Sequence, residues 1–153
     1  MTAHSYFKTL LLSEHGSSLV ELAFLTPLLM LLLLGTVDFG RAYYIASEVA
    51  GAAHAGAIYA SGSPTDNTGI ENAATDDAPG VPGLIVATPT YGCECSDGSA
   101  FSANCGATPT CTGNNVVYKV TVTVTATYHP WFPWPGVPSS IHFSRSATMR
   151  SGS

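Results

Sequence analysis

A chain of 153 residues has room for one modest domain and an anchor, not for a helix bundle with a catalytic domain added. Charged residues make up only 10% of it, the formal net charge is −5, and the basic residues Lys8, Arg41, Lys119, Arg145 and Arg150 are scattered. That argues against a nucleic-acid partner, because neutralising phosphates takes a concentrated basic surface.

The apolar residues are concentrated instead. Leu22 to Val37 reads LAFLTPLLMLLLLGTV without a formal charge, and the window from Ser17 to Val37 holds Glu21 as its one ionisable group. A bilayer-spanning helix needs about 20 mostly apolar residues, which this window supplies. A cleaved secretory signal is the alternative, but its apolar core is usually about 7 to 15 residues and ends at a small-residue cleavage site. Here the helix-favouring sequence runs on through Asp38, Phe39 and Arg41 to about Ala60. Pro27 should kink or loosen the helix rather than end it. A helix over residues 17–60 would be about 66 Å long at about 1.5 Å per residue, twice the thickness of a bilayer core. Its second half is rich in Ala and Gly and suits close helix contact; Gly35, Gly40, Gly51, Ala52 and Gly56 are the small residues that could serve lateral association.

Glu21 stands at the N-terminal edge of this run, where an unpaired carboxylate in hydrocarbon is costly. It either rests at headgroup level, favoured by the helix dipole, or has a partner. It is also the fifth residue after Gly16, in Gly16-Ser17-Ser18-Leu19-Val20-Glu21. That segment resembles the prepilin peptidase motif of type IV pilin-like proteins. The likeness continues in register through Ala23, Pro27, Leu28, Leu29, Gly35, Asp38, Phe39, Gly40 and Arg41, and then through Ala52, Ala53, Gly56, Ala57, Tyr59 and Ala60. In this pattern the chain resembles the TadE-like family of minor pseudopilins of tight-adherence, Flp-type pili. It departs from the pattern at Leu22, Asp38, His54, Ala55 and Ile58.

The resemblance implies a cytoplasmic leader over residues 1–16, processed between Gly16 and Ser17, and a docking role for Glu21 beside neighbouring subunits. It implies that the helix motif Pro27, Gly35, Asp38, Phe39, Gly40 and Arg41 serves membrane insertion and assembly. Its partners would be the bacterial inner membrane, other pilin or pseudopilin subunits, secretion-machinery proteins and prepilin peptidase. Asp38 and Arg41, three apart on a helix, are neighbours whose exposed pairing is worth only a few tenths of a kcal/mol, so they mark the membrane exit rather than a catalytic pair.

Residues 61–83 turn to Gly, Pro, Asn, Asp and Thr and read as a linker, with a short helical stretch over Ile70 to Asp77. The clearest strand is Val116 to Tyr128, where Val116, Tyr118, Val120, Val122, Val124, Ala126 and Tyr128 alternate with Val117, Lys119 and a row of threonines. Such alternation predicts one buried and one wet face. Val81 to Tyr91 and Ser140 to Arg150 are its expected partners. Together they predict an α+β fold: a long N-terminal transmembrane helix packed with a small antiparallel sheet, the back half of the helix covering the sheet's apolar face. Between the last two strands lies HPWFPWPGVP, too rich in proline for a ladder. Trp131, Phe132 and Trp134 there either pack under the loop or meet a partner or a membrane surface.

Cys93, Cys95, Cys105 and Cys111 fall in a Gly- and Ser-rich excursion between strands. Two disulfides are the first choice, with three connectivities open and Cys93 with Cys95 the least comfortable pair. A zinc site is the weaker alternative, because the spacing lacks paired C-x₂-C knuckles, and no C-x-x-C supports redox catalysis. Disulfides belong to an oxidising compartment, which would put the C-terminal domain, residues 61–153, in the periplasm or beyond, with the N-terminus cytoplasmic. His4, His15, His54, His129 and His142 are dispersed without metal-ligand spacing. No catalytic residue, metal site or cofactor can be nominated. The expected function is support of pilus or secretion-system assembly, with the protein in the inner membrane or in the pilus; the alternative is an uncleaved single-pass envelope anchor whose head binds a ligand or surface.

Overall fold

A computed structural model describes residues 15–106 and 109–152. Most of the expected leader therefore lies outside the described residues. The chain divides into two units, Met1–Gly40 and Arg41–Ser153.

Helix α1 spans His15–Gly62 and passes through Pro27 without interruption. In the first unit its apolar side chains, Leu19 through Val37, are exposed all round. Two hydroxyls in this run are satisfied within the helix itself: Thr26 Oγ1 donates to the Leu22 carbonyl at 2.6 Å and Thr36 Oγ1 to the Leu32 carbonyl at 2.8 Å. A side-chain hydroxyl bonded back to its own helix leaves little polar surface facing outward. Among the described residues α1 is the one helix long and apolar enough to cross a membrane.

In the second unit the remaining half of α1 is amphipathic in a different sense. Ile45, Val49, Ala52, Ala53, Ala57 and Ala60 are buried. Their spacing of three and four residues makes one stripe, and its small side chains let the helix approach its neighbours closely. A Cβ placed on Gly56 would lie 3.1 Å from Val122 Cγ1 and 3.3 Å from Ala74 Cβ, and one on Gly51 would lie 2.8 Å from Asp77 Oδ2. Gly51, Ala52 and Gly56 are thus spent on packing inside the head, which corrects their assignment to contacts between subunits.

Helix α2, Asn67–Asp77, extends the short helical stretch expected over Ile70 to Asp77. Asp66 caps it, accepting from the Gly69 N–H at 3.0 Å, while Tyr59 Oη donates to the other carboxylate oxygen at 2.7 Å. Those two bonds hold the Asp66 carboxyl below its ordinary range, the backbone bond contributing most. Ile70 and Ala74 are the buried face of α2.

The sheet has four strands: β1 (Ile85–Val86), β2 (Thr90–Cys95), β3 (Val116–Tyr128) and β4 (Ile141–Gly152). All pairings are antiparallel, and β3 is central. β4 occupies one edge of β3 over Val117 to Tyr128. β1 and β2 share the other edge, with Ile85 opposite Thr125 and Tyr91 opposite Val120. The single strand expected over Val81 to Tyr91 is therefore split and displaced towards Cys95. Pro89 explains the break: it has no N–H to give to the ladder, and pairing stops after Ala87 N–H donates to the Thr123 carbonyl at 2.9 Å.

The expected alternation of β3 holds. Val120, Val122, Val124, Ala126 and Tyr128 are buried beneath α1 and α2, with Ile141, Phe143, Ala147 and Met149 of β4 packed at the margin of the same core. On the opposite face, hydroxyls pair across strands: Thr121 with Thr148 at 2.9 Å and Thr123 with Ser146 at 2.8 Å. Such cross-strand pairs are the elementary stabilising contacts of a sheet.

Candidate functional site

The expected site residues are taken in two groups, those up to Gly40 and those from Arg41 onward. Gly16 and Ser17 lie on the first turn of α1, and Glu21 and Pro27 are exposed on the same helix. Further along, Gly35 is half-buried, Asp38 only 2% exposed, and Phe39 and Gly40 exposed; a Cβ on Gly40 would meet nothing within 4 Å.

Arg41 opens the second unit. Its guanidinium carbon lies 3.8 Å from the ring centre of Trp131 and 5.7 Å from that of Tyr128. A guanidinium over an aromatic face gains quadrupole attraction without a carboxylate, and Arg is the cation best suited to it. One Arg41 nitrogen, Nη1, is buried without a hydrogen-bond partner, so the rings are what face it. The aromatic loop after Tyr128 is itself ordered by short-range bonds. Trp134 N–H donates to the Phe132 carbonyl at 2.9 Å, Val137 N–H to the Trp134 carbonyl at 3.1 Å, and Phe132 and Trp134 meet edge to face with centroids 6.2 Å apart. A concavity of ≈ 270 Å³ lies among Pro130, Trp131, Trp134 and Val137.

The cysteines form two disulfides, Cys93–Cys105 and Cys95–Cys111. Cys93 and Cys95 are not in the connecting excursion but on β2, buried and on the same side of the strand. Alternation along a strand puts residues two apart on one face, so each sulfur reaches a different point of the following loop. The loop then pairs with the outer edge of β2, Cys93 exchanging backbone bonds with Ser102 at 2.8 and 2.7 Å. Asp97 organises its turn, accepting from the Ser99 N–H and hydroxyl and from Asn114 Nδ2 at 2.9 Å.

Between the cysteines, Glu94 points to the other face and is 1% exposed. Lys119 Nζ donates to its Oε2 at 2.9 Å, and Arg150 Nε lies 2.6 Å from Oε1. The Lys119 hydrogen bond is the main influence holding the carboxyl below its ordinary range; burial opposes it, and the charges of Arg150 and Lys119 assist. Lys119 hydrogen-bonds one oxygen of the buried carboxylate and the charge of Arg150 stands beside the other, fastening β2 to β3 and β4, a structural arrangement. No sequence spacing announces this cluster; the register of three strands assembles it. Among the described residues no group of three or more His, Cys, Asp or Glu could hold a metal ion.

Comparison with protein families identifies the helix. Residues 16–57 match the family described as TadE-like protein. That segment is similar to TadE-like proteins. The match begins at Gly16, takes in Glu21, Pro27, Gly35 and the Asp38 to Arg41 run, and ends at Ala57 on the buried stripe of α1. The matched segment therefore covers the apolar run and the part of the helix that packs in the head, while the sheet and both disulfides lie outside it. No curated protein and no solved structure matches the chain.

Proposed function

We propose that this TadE-like protein is a single-pass inner-membrane minor pseudopilin that supports assembly of a tight-adherence pilus or related secretion system. The observation that carries the reading is the TadE-like match over an unbroken helix whose apolar side chains are exposed and whose continuation is built into a folded head. Two disulfides in the head fit an oxidising compartment, hence a cytoplasmic N-terminus and an exported C-terminal domain. Processing after Gly16 would leave Glu21 near a new, positively charged N-terminus of a neighbouring subunit, a pairing that offsets the cost of a carboxylate at the edge of hydrocarbon. No catalytic role enters the proposal.

Co-expression with a prepilin peptidase tests it. The expected result is loss of the mass of Met1 to Gly16, abolished by Gly16→Ala. Glu21→Ala should insert normally and fail to support filaments. An intact mass in the presence of an active peptidase would leave the protein an uncleaved anchor and overturn the pseudopilin reading.

A further inference from the structure

The open edge of the sheet is β4. Ala87 N–H donates to the Thr123 carbonyl at 2.9 Å, so the Thr123 backbone is turned towards β1. Successive residues of an antiparallel strand turn their backbone groups to opposite neighbours, so Val122 and Val124 are turned towards β4, where they meet Ala147 and Arg145. The same alternation turns the backbone N–H and C=O groups of His142, Ser144, Ser146, Thr148 and Arg150 away from β3. These residues are exposed. Among the described residues, the one hydrogen bond made to their backbone from outside the ladder is that of Arg145 Nη1 to the Ser144 carbonyl at 2.9 Å. Such a row of open backbone groups is a template for a further strand.

Arg145 selects the strand that fits. It belongs to the row Ile141, Phe143, Arg145, Ala147 and Met149 on the helix-covered side of the sheet, where its neighbours are half-buried and it is exposed and charged. It has no ion pair among the described residues, whereas Arg150 is engaged by Glu94. From Lys119 to Ser153 the chain contains no Asp or Glu. A charge on an edge strand deters most other strands, and a second copy of β4 is one of those deterred. Two copies would bring Arg145, Arg150 and His142 together without a carboxylate, and like charges across a strand pair repel. The acids of the head, Glu48 to Asp97, stand on helices, on β2 or in turns, so a second copy supplies no extended acidic segment either.

We propose that the outer edge of β4 is a docking site for an extended, acidic segment of another protein, added antiparallel as a fifth strand, with an Asp or Glu opposite Arg145 and apolar side chains beside Phe143 and Ala147. Arg145 would meet that acid across a non-hydrogen-bonded pair, where facing side chains approach most closely. The alternate residues of the added strand would be polar, continuing the wet row of Ser144, Ser146 and Thr148. Nothing in this docking depends on the apolar part of α1.

Binding of a dye-labelled, end-blocked peptide to full-length protein in mild detergent, followed by fluorescence anisotropy against empty micelles, tests the proposal. The peptide has about nine alternating threonine and valine residues, with one central glutamate on the valine row. The expected result is binding that falls about fivefold when the glutamate is exchanged for lysine. Binding should be lost when the peptide's amides on the bonding side are N-methylated. It should also be lost with Ser144→Pro protein, in which proline removes an outward donor but no bond to β3. With Arg145→Glu protein the preference should reverse, the lysine peptide binding about fivefold better. The peptide exchanges on unaltered protein supply the measurement if a variant does not fold. No binding beyond that of empty micelles, or binding indifferent to N-methylation or to the peptide's charge, would overturn the proposal. Binding retained by folded Ser144→Pro protein, or an unreversed preference in folded Arg145→Glu protein, would place the peptide elsewhere and overturn it as well. Self-association of the protein that the peptide displaces would assign the edge to a second copy, against the proposal.

Discussion

Gly56 offers a quantitative test of the helix-to-sheet contact. Replacing it with alanine in a helix interior would by itself stabilise the helix by about 1 kcal/mol. The new methyl, however, would sit 3.1 Å from Val122 Cγ1, 3.3 Å from Ala74 Cβ and 3.4 Å from the Ile70 carbonyl oxygen. Relief requires movement of Val122, which lies on a strand paired along both edges, or of α2, which Asp66 caps and Tyr59 secures. Overpacking a well-filled core costs about 1 to 3 kcal/mol, so the net effect of Gly56→Ala is destabilisation of about 1 kcal/mol, and the bulkier Gly56→Val should cost about 3 kcal/mol. The assay is thermal or urea unfolding in mild detergent, followed by near-ultraviolet circular dichroism; about 1 kcal/mol corresponds to roughly 4 °C or more in Tm for a unit of this size. A Gly56→Ala protein more stable than its parent would refute the argument, because the helix propensity would then have outweighed a contact taken to be closed on three sides.

Acid should weaken the head through Glu94. Its folded-state pKa is lowered from 4.5, so its stabilising contribution is complete above that ordinary value and is lost as pH falls below it through the folded-state value. Glu94→Gln should flatten the dependence of Tm on pH in that window, and an unchanged slope would count against the ion cluster. The two disulfides close loops of sequence separation 12 and 16, for which chain entropy predicts about 3 kcal/mol each. Paired replacement of Cys95 and Cys111 by serine should therefore lower the unfolding free energy by about 3 kcal/mol, and reduction of both bridges by more, read as a lower unfolding midpoint in urea; a midpoint unmoved by reductant would contradict it.

Much of the architecture was legible because it depends on periodicity. The uncharged run after Glu21 reports a helix without a water-facing side, and the Val and Thr alternation of β3 reports its two faces. The break between β1 and β2 had a signal in Pro89, but the apolar run from Val81 outweighed it. For Cys93 and Cys95 the two-residue spacing pointed to neighbours on one strand face, and the surrounding Gly and Ser residues disguised the strand. Glu94, Lys119 and Arg150 were not legible as a group: each is an isolated charge in sequence, and only the cross-strand register brings them together. Arg41 and Trp131 are likewise far apart along the chain, so the notion of a local pair with Asp38 could not foresee the aromatic rings above the guanidinium. The small residues Gly51, Ala52 and Gly56 show how one composition serves two ends. Close helix contact was the right physics, but the surface they meet is the chain's own sheet and second helix.

β2 is only six residues long and sits at a margin of the sheet, yet sulfur bridges hold one side of it, an ionic clamp holds the other, and the loop over Ser99 to Ser102 occupies its outer rim. The outward backbone groups of Cys93 and Cys95 are withdrawn from any passing polypeptide. Among the described residues the twelve-residue β4 pairs only with β3, so its long outer edge is where a foreign strand could extend the sheet, whereas at β2 crowded copies of this head are guarded against zipping together.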